Sequence, residues 1–285
     1  MNARFSAPPD DQLYYCVVGF PIAHSKSPQI HHAFAAQFGI DLVYDRVEVK
    51  SGDLASALAS FRECAGRGLN VTLPLKEEAF ALGATSTERA RVAGAANTVW
   101  FDEEGQIHTD NTDGVGLLRD LTVNLQLSLE GSTVLLLGAG GAARGVMLPL
   151  LQAGLSELRI SNRSPEKAAA LASDFSIHGR VTVTPWGEVG SGPPDLVINA
   201  TSMSLEGQVP PLLESTLGVR TSCYDMMYGS EPTAFVRWAL AAGCPASDGL
   251  GMLVEQAAES FRIWHGCMPV TAPVMTTLRN DLSHP

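Results

Sequence analysis

Short runs of β-branched and aromatic residues alternate along the chain with stretches whose apolar positions recur at helical spacing. YYCVVGF at 14–20, LVYDRVEV at 42–49 and GLNVTL at 68–73 read as strands, each followed by a helical stretch. This alternation predicts α/β architecture: largely parallel sheet with crossover helices. The first helix is marked by Ser27 as N-cap, Pro28 at the first helical position, Ile30, Phe34 and Phe38 on one face, and Gly39 as its stop. NTVWFDEEGQIHT at 97–109 reads as a hairpin turning near Glu104-Gly105. From Asp113 to about Asn124 a helix carrying Val115, Leu117, Leu118 and Leu121 leads to the strand STVLLLG, which opens a second βαβ series. A domain boundary is therefore expected near residue 112. The predicted organisation is an α/β domain over 1–112, a doubly wound domain over 113–248, and helices over 249–285 that pack back on the first. No internal repeat or low-complexity tract interrupts the pattern.

A chain of 285 residues, 45% hydrophobic, has enough apolar surface for two cores. Its formal charge of -11 argues against non-specific binding to nucleic acid or anionic lipid, since both need a basic surface to displace counterions. Any anionic ligand must be met by locally placed donors. The first dozen residues include Pro8-Pro9 and Asp10-Asp11 and lack the charged-then-apolar order of a secretory signal. No apolar run is long enough for a bilayer. Five scattered cysteines, none in C-x-x-C spacing, favour reduced thiols over a disulfide framework or a zinc site, and a cytoplasmic setting is expected. The N-x-S/T triplets at Asn70, Asn162 and Asn199 carry little weight as glycosylation acceptors in that setting.

The strand at 133–137 runs into Gly138-Ala139-Gly140-Gly141-Ala142-Ala143 and then a helix, which matches G-x-G-x-x-G/A in the strand-turn-helix setting it requires. Gly138 suits the tight turn, Gly140 lets backbone approach a pyrophosphate, and Ala143 lets helix and strand pack closely. The next strand, ELRIS, ends at Asn162-Arg163-Ser164, where an NAD site would place an acid for the ribose 2′-hydroxyl. Arg163 can instead fork onto a 2′-phosphate, with Lys167 one turn later, so NADP is the expected cofactor. The competing reading, that Ser164-Pro165 only caps a helix and both cations are solvated, stays open for Lys167.

Polar residues of the first domain collect where strands end or helices begin: Ser25-Lys26-Ser27-Pro28, Asn70-Val71-Thr72-Leu73-Pro74-Leu75-Lys76, Gly94-Ala95-Ala96-Asn97-Thr98 and Asp110-Asn111-Thr112-Asp113-Gly114. With LLGAGGAARGV, SNRS, INATS, CYDMMY and DGLGMLVEQAA, and in this order through almost the whole chain, they resemble the shikimate dehydrogenase family. The resemblance implies a Rossmann-type NADP-binding domain beside a substrate domain, and reversible NADP-linked reduction of 3-dehydroshikimate to shikimate on the route to chorismate and the aromatic amino acids. It implies Ser25 and Ser27 at the substrate carboxylate, Asn70, Thr72, Asn97 and Asp113 around the ring hydroxyls, and Lys76 as general acid/base beside Asp113. Tyr228 and Gln256 reach the substrate from the other side. Toward the cofactor it implies Gly138, Ala139, Gly140, Gly141, Ala142, Asn162, Arg163, Ser164, Lys167, Thr201, Ser202, Met203, Gly249 and Met252.

The chemistry of ketone reduction agrees with those residue types. Hydride addition builds negative charge on oxygen, so the site needs a proton donor in hydrogen-bond reach and a group to orient it, roles Lys76 and Asp113 can fill. Ser, Thr and Asn offer neutral donors and acceptors to a polyhydroxylated acid and reject analogues that strand them. Each has a plainer alternative: Ser27 as helix cap, Asp113 at the positive end of its helix, Lys76 as solvated charge, and Gln256 as surface amide beside a stripe of Leu253, Ala257, Phe261 and Trp264. His24, His31 and His32 lack metal-like spacing and read as local structure, so no metal is expected. Two positions depart from the family pattern. Met203-Ser204 stands where a glycine is usual, so the loop has either changed shape or carries strain, and Ala96 replaces a bulkier residue. Rival readings are a relaxed quinate/shikimate or aminoshikimate dehydrogenase and a non-catalytic NADP(H) sensor. A small-molecule substrate is the expected partner, without nucleic acid or membrane, and homodimer formation stays open.

Overall fold

The structure, a computed structural model, describes residues 5–9 and 12–283. Asp10 and Asp11 of the amino-terminal reading lie outside the described residues, as do 1–4 and 284–285. The chain divides into two compact units, Met1–Thr112 with Gln256–Val274 and Asp113–Glu255 with Met275–Pro285, and each contains a six-stranded sheet.

The first unit runs β1 (Leu13–Gly19), α1 (Ser27–Phe38), β2 (Leu42–Glu48), α2 (Leu54–Glu63), β3 (Gly66–Val71), α3 (Lys76–Leu82), β4 (Thr85–Ser86), α4 (Glu88–Ala93), β5 (Thr98–Phe101) and β6 (Ile107–Asp110). Its sheet order is β2-β1-β3-β5-β6-β4, with β1 parallel to β2 and β3, and β5 antiparallel to both β3 and β6. The unbroken apolar run of β1 fits a central strand buried on both faces, with Tyr14, Cys16 and Val18 in a core shared with Phe61, Leu69, Val71 and Val99. The β5–β6 hairpin turns through Gly105, whose φ of +79° suits glycine. Helix α1 stops at Gly39 in the left-handed conformation, but Ser27 is not its N-cap. Lys26 holds that position and no side chain caps the helix. Ser27 is already the first residue inside the helix, so its side chain does not occupy the capping position.

The second unit opens with α5 (Asp113–Arg119), which widens into a π-helical turn over Asp120–Asn124. It continues through β7 (Thr133–Leu137), α6 (Gly141–Gln152), β8 (Glu157–Ser161), α7 (Pro165–Phe175), β9 (Val181–Thr184), β10 (Leu196–Asn199), β11 (Ser222–Asp225), α8 (Ala234–Ala241) and β12 (Ala246–Ser247). All neighbours are parallel and the order is β9-β8-β7-β10-β11-β12. This is the doubly wound dinucleotide order, with its reversal between β7 and β10, where such sheets bind ligands.

Helices α9 (Leu250–His265) and α10 (Ala272–Ser283) complete the chain, and the unit division falls inside α9, between Glu255 and Gln256. The buried face of α9 is broader than the expected stripe. Leu250, Val254, Ala257, Ala258 and Phe261 are buried, while Leu253 and Trp264 are only partly so. Glu255, Glu259 and Ser260 are buried as well, which is tolerable because each has polar partners. Among the described residues no helix is long and apolar enough to cross a membrane, and no group of His, Cys, Asp and Glu is arranged to hold a metal ion.

Candidate active site

In the first unit, β1 and β3 run parallel and β5 starts opposite the end of β3, with Asn70 registered against Thr98. The segments after β1, after β3, before β5 and after β6 therefore share one end of the sheet. There Ser25 Oγ lies 3.2 Å from Ser27 Oγ, Asn97 Nδ2 donates to Gln256 Oε1 at 2.9 Å, and Ala96 N donates to the Lys76 carbonyl at 2.8 Å. Ser25, Thr72, Lys76 and Gln256 are partly exposed; Ser27 and Asn97 are buried. Asn70 is only 5% exposed and both ends of its amide are engaged. Its Oδ1 accepts from Tyr44 Oη at 2.6 Å and His31 Nε2 at 3.1 Å, and its Nδ2 donates to the Asn97 carbonyl at 3.2 Å and Ser260 Oγ at 3.0 Å.

Because Asn70 Oδ1 can only accept, His31 Nε2 carries the proton and Nδ1 is left as a lone pair among aromatic rings, without a hydrogen-bond partner. His31 stacks on Tyr44 at 4.4 Å, and burial, reinforced by His265, pushes its pKa down to about 3, so it stays a neutral donor. Burial likewise raises the Tyr44 phenol, which keeps its proton for Asn70.

Beside this cluster Arg89 forks onto Asp110 with two bonds of 2.7 Å and reaches Glu259 at 2.9 Å. Burial alone would raise the Glu259 carboxyl, but hydrogen bonds from Arg262 and Arg89 outweigh it and hold it at about 2. Asp110 so anchored receives the Asn111 amide, and Asn111 Nδ2 donates to the Ala95 carbonyl at 3.0 Å. The GAANT and DNTDG segments are thereby locked to each other.

In the second unit the turn after β7 adopts the conformation its glycines predict. Gly138 has φ +111°, and a side chain there would press on the Ala200 carbonyl at 3.2 Å. At Gly140 and Gly141 an added Cβ meets nothing within 4 Å, no side chain caps α6, and its first turn holds no acid. The amides and positive end of α6 thus face an open cradle, which fits a pyrophosphate, and fully buried Ala143 permits close packing below. Thr201-Ser202-Met203 follow β10, the neighbour of β7, with the Thr201 hydroxyl donating to Asn199 Oδ1 at 2.7 Å. After β8, Arg163 and Lys167 are exposed, Asn162 Nδ2 donates to the Ser164 carbonyl at 3.0 Å, and Ser164 makes no side-chain capping bond. Gly249 is required by close approach: a Cβ would lie 2.3 Å from the Met226 carbonyl oxygen. Met252 is buried, and Tyr228 is half-buried with its phenol raised by that burial. Asp113, 7% exposed, opens α5.

A family model for the shikimate dehydrogenase substrate binding domain matches residues 17–99, one for shikimate/quinate 5-dehydrogenase matches 121–204, and one for the shikimate 5'-dehydrogenase C-terminal domain matches 249–279. A shikimate dehydrogenase (NADP(+)) of Alcanivorax borkumensis is 50% identical over 283 residues, covering 94% of this chain and 97% of its own. This chain belongs to the shikimate dehydrogenase family. Among solved structures of similar shape, the shikimate 5-dehydrogenase of Thermus thermophilus in complex with NADP(H) and shikimate is 34% identical, with a TM-score of 0.86 over 95% of this chain and all of that one. A ligand-free 5-ketofructose reductase of a Gluconobacter strain is 32% identical, with a TM-score of 0.84 over 95% of this chain and 99% of its own.

The family matches take in Ser25, Ser27, Asn70, Thr72, Lys76 and Asn97 in the first stretch, the glycine turn and Arg163 in the second, and Gly249, Met252 and Gln256 in the third; Asp113 and Tyr228 fall outside all three. Sequence reasoning missed Tyr44, Thr98 and Ser260, and took His31 as local structure only. One signal was present: Ser260 sits four residues after Gln256, on the same face of α9.

Proposed function

We propose that this chain catalyses the NADP-linked interconversion of 3-dehydroshikimate and shikimate. Ser25, Ser27, Thr72, Asn97 and Gln256 belong to the unit that would hold the ring acid. Gly138 to Ala142, with Arg163, Ser164 and Lys167, belong to the unit that would hold the dinucleotide. Bound NADPH supplies the hydride. Lys76 donates the proton to the carbonyl oxygen as charge develops there, and in reverse takes it from the hydroxyl, with Asp113 as its partner. The exposed Arg163 at the end of β8, with no acid to bond a ribose 2′-hydroxyl, favours NADP over NAD. Five free thiols suit a reducing, cytoplasmic setting.

The single observation that carries this reading is the 50% identity over 94% of the chain to a relative named shikimate dehydrogenase (NADP(+)). The test is a panel of NADP+ and NAD+ against shikimate and quinate, run with the wild type and Lys76→Ala. Wild type should prefer NADP+ and shikimate, and the variant should lose kcat by about 10²- to 10⁴-fold with little change in KM. Faster quinate oxidation with NAD+ would overturn the substrate and cofactor assignment, and an undiminished kcat would remove Lys76 from the chemistry. A second reading, reduction of another polyhydroxylated ketone, is favoured by the likeness to the Gluconobacter reductase. A higher kcat/KM with 5-ketofructose than with 3-dehydroshikimate would select it.

A further inference from the structure

The polar side chains of the first unit form a continuous line of hydrogen bonds. Ser25 Oγ donates to Ser27 Oγ at 3.2 Å, Ser27 bonds the Tyr44 phenol, and Tyr44 donates to Asn70 Oδ1 at 2.6 Å. Asn70 Nδ2 donates to Ser260 Oγ at 3.0 Å, and Ser260 meets Thr98 Oγ1 at 2.7 Å. Thr98 donates to Asn97 Oδ1 at 2.9 Å, and Asn97 Nδ2 donates to Gln256 Oε1 at 2.9 Å.

Part of the polarity follows from valence. Asn97 Oδ1 can only accept, from Thr98 Oγ1 and from Thr112 N, while the short Thr98–Ser260 contact can be donated from either side, since Ser260 Oγ also donates to the Gln256 carbonyl at 3.1 Å. Asn70 Oδ1 cannot donate either, so Tyr44 gives its proton there and can only accept from Ser27. The Asn70 amide cannot be flipped, because its Nδ2 faces the Asn97 carbonyl, itself only an acceptor. Buried hydrogen bonds linked in one network depend on one another, and a half-satisfied member is costly. The line begins at Ser25, partly exposed, and ends at Gln256, partly exposed; Ser27, Asn70, Asn97, Thr98 and Ser260 between them are each under 10% exposed.

We propose that Tyr44, Asn70 and Ser260 are positioning residues that hold, from behind, the two ends of the substrate site in place: Ser25 and Ser27 at one, Asn97 and Gln256 at the other. His31 is the auxiliary donor that keeps the Asn70 amide in register. Asn70 acts through its neighbours and not by touching substrate, because its amide is already spent on both sides. At the far end three bonds to Asn97 Oδ1, from Thr98 Oγ1, Thr112 N and Thr112 Oγ1, turn the Asn97 amide nitrogen toward Gln256, which in turn presents its oxygen inward.

This inference rests on the proposed shikimate dehydrogenase reading. Its test is steady-state kinetics of Tyr44→Phe, Ser260→Ala and the double variant, each of which removes oxygen and keeps shape, with Thr98→Val as a further break in the line and Tm measured for all. Each single variant should raise KM for shikimate about tenfold, the effect of one stranded buried partner, while kcat stays within about twofold and KM for NADP+ does not move. Because the two sites lie in series, the double variant should be clearly less than additive. An unchanged KM for shikimate in Tyr44→Phe and Ser260→Ala overturns the proposal, as does a loss of kcat and of both KM values that simply follows Tm. Wild type that turns over no shikimate overturns the functional reading itself and the proposal with it, whereas active wild type with indifferent variants overturns the proposal alone.

Discussion

At the scale of single residues, Ser204 illustrates how a departure from a family pattern is absorbed. Met203–Glu206 form a 3-10 turn, and the left-handed position falls on Gly207, with φ +71°, so Ser204 keeps an ordinary backbone without strain. The hydroxyl has also found work. Asn199 Nδ2 donates to it at 3.1 Å, and it joins Thr233 Oγ1, Met227 N and Asn199 in hydrogen-bonding the buried Asp225, whose carboxyl is raised chiefly by burial. Ser204→Gly should therefore destabilise the fold. Loss of a hydrogen bond to a buried carboxylate costs about 1–3 kcal/mol, and the added backbone freedom of glycine roughly 0.5–1 kcal/mol more. Denaturant titration of the two proteins measures this, and equal midpoints would mean that Asp225 is satisfied without residue 204.

At the scale of elements, the turn between β7 and α6 separates the two uses of glycine. Gly138 is glycine for conformation, Gly140 for access. Gly140→Ala adds a methyl that meets no protein atom within 4 Å, so stability should hold while KM for NADP+ rises by about tenfold or more, because the methyl occupies the approach to the α6 amides. Gly138→Ala must hold φ +111° against the Ala200 carbonyl, so it should lower Tm as well, by a strain of about 1–3 kcal/mol. Paired thermal melts and cofactor titrations distinguish the two, and a Tm loss equal in both would collapse the distinction. These elements were legible because their signals are local: the apolar run of β1, the Gly105 hairpin and the strand-turn-helix fingerprint all need only neighbours in sequence. The Ser27 cap was misread by one position, since the helix starts at Ser27 itself and Lys26 stands at the cap. Tyr44, Thr98 and Ser260 carried no local mark at all; a hydroxyl on a strand or helix says nothing of a partner that lies 190 residues away, as Ser260 does from Asn70.

For the whole molecule, the buried imidazoles make folding sensitive to acid well above the carboxylate range. Burial holds His265 at about 4 and, with His265 beside it, His31 at about 3, whereas both return to about 6.5 in the unfolded chain. Their folded pKa values are depressed, so the stability they contribute is complete above pH 6.5 and is lost as pH falls toward 4 and then 3. Near pH 5 the unfolded chain binds two protons that the native chain does not, which gives a slope of about 2.7 kcal/mol per pH unit. Asp120 and Asp225, raised mainly by burial, act in the opposite sense. Their contribution is common to any pair of proteins differing only at an imidazole, so the difference isolates the histidine. His31→Gln keeps an amide donor near the place of Nε2 and removes the titration, and it should roughly halve the slope of unfolding free energy against pH between 6 and 4.5 while leaving stability at pH 8 little altered. An unchanged slope would mean that His31 takes up its proton within the folded state, and with that proton the neutral stacking on Tyr44 and the fixed donation to Asn70 would have to be abandoned.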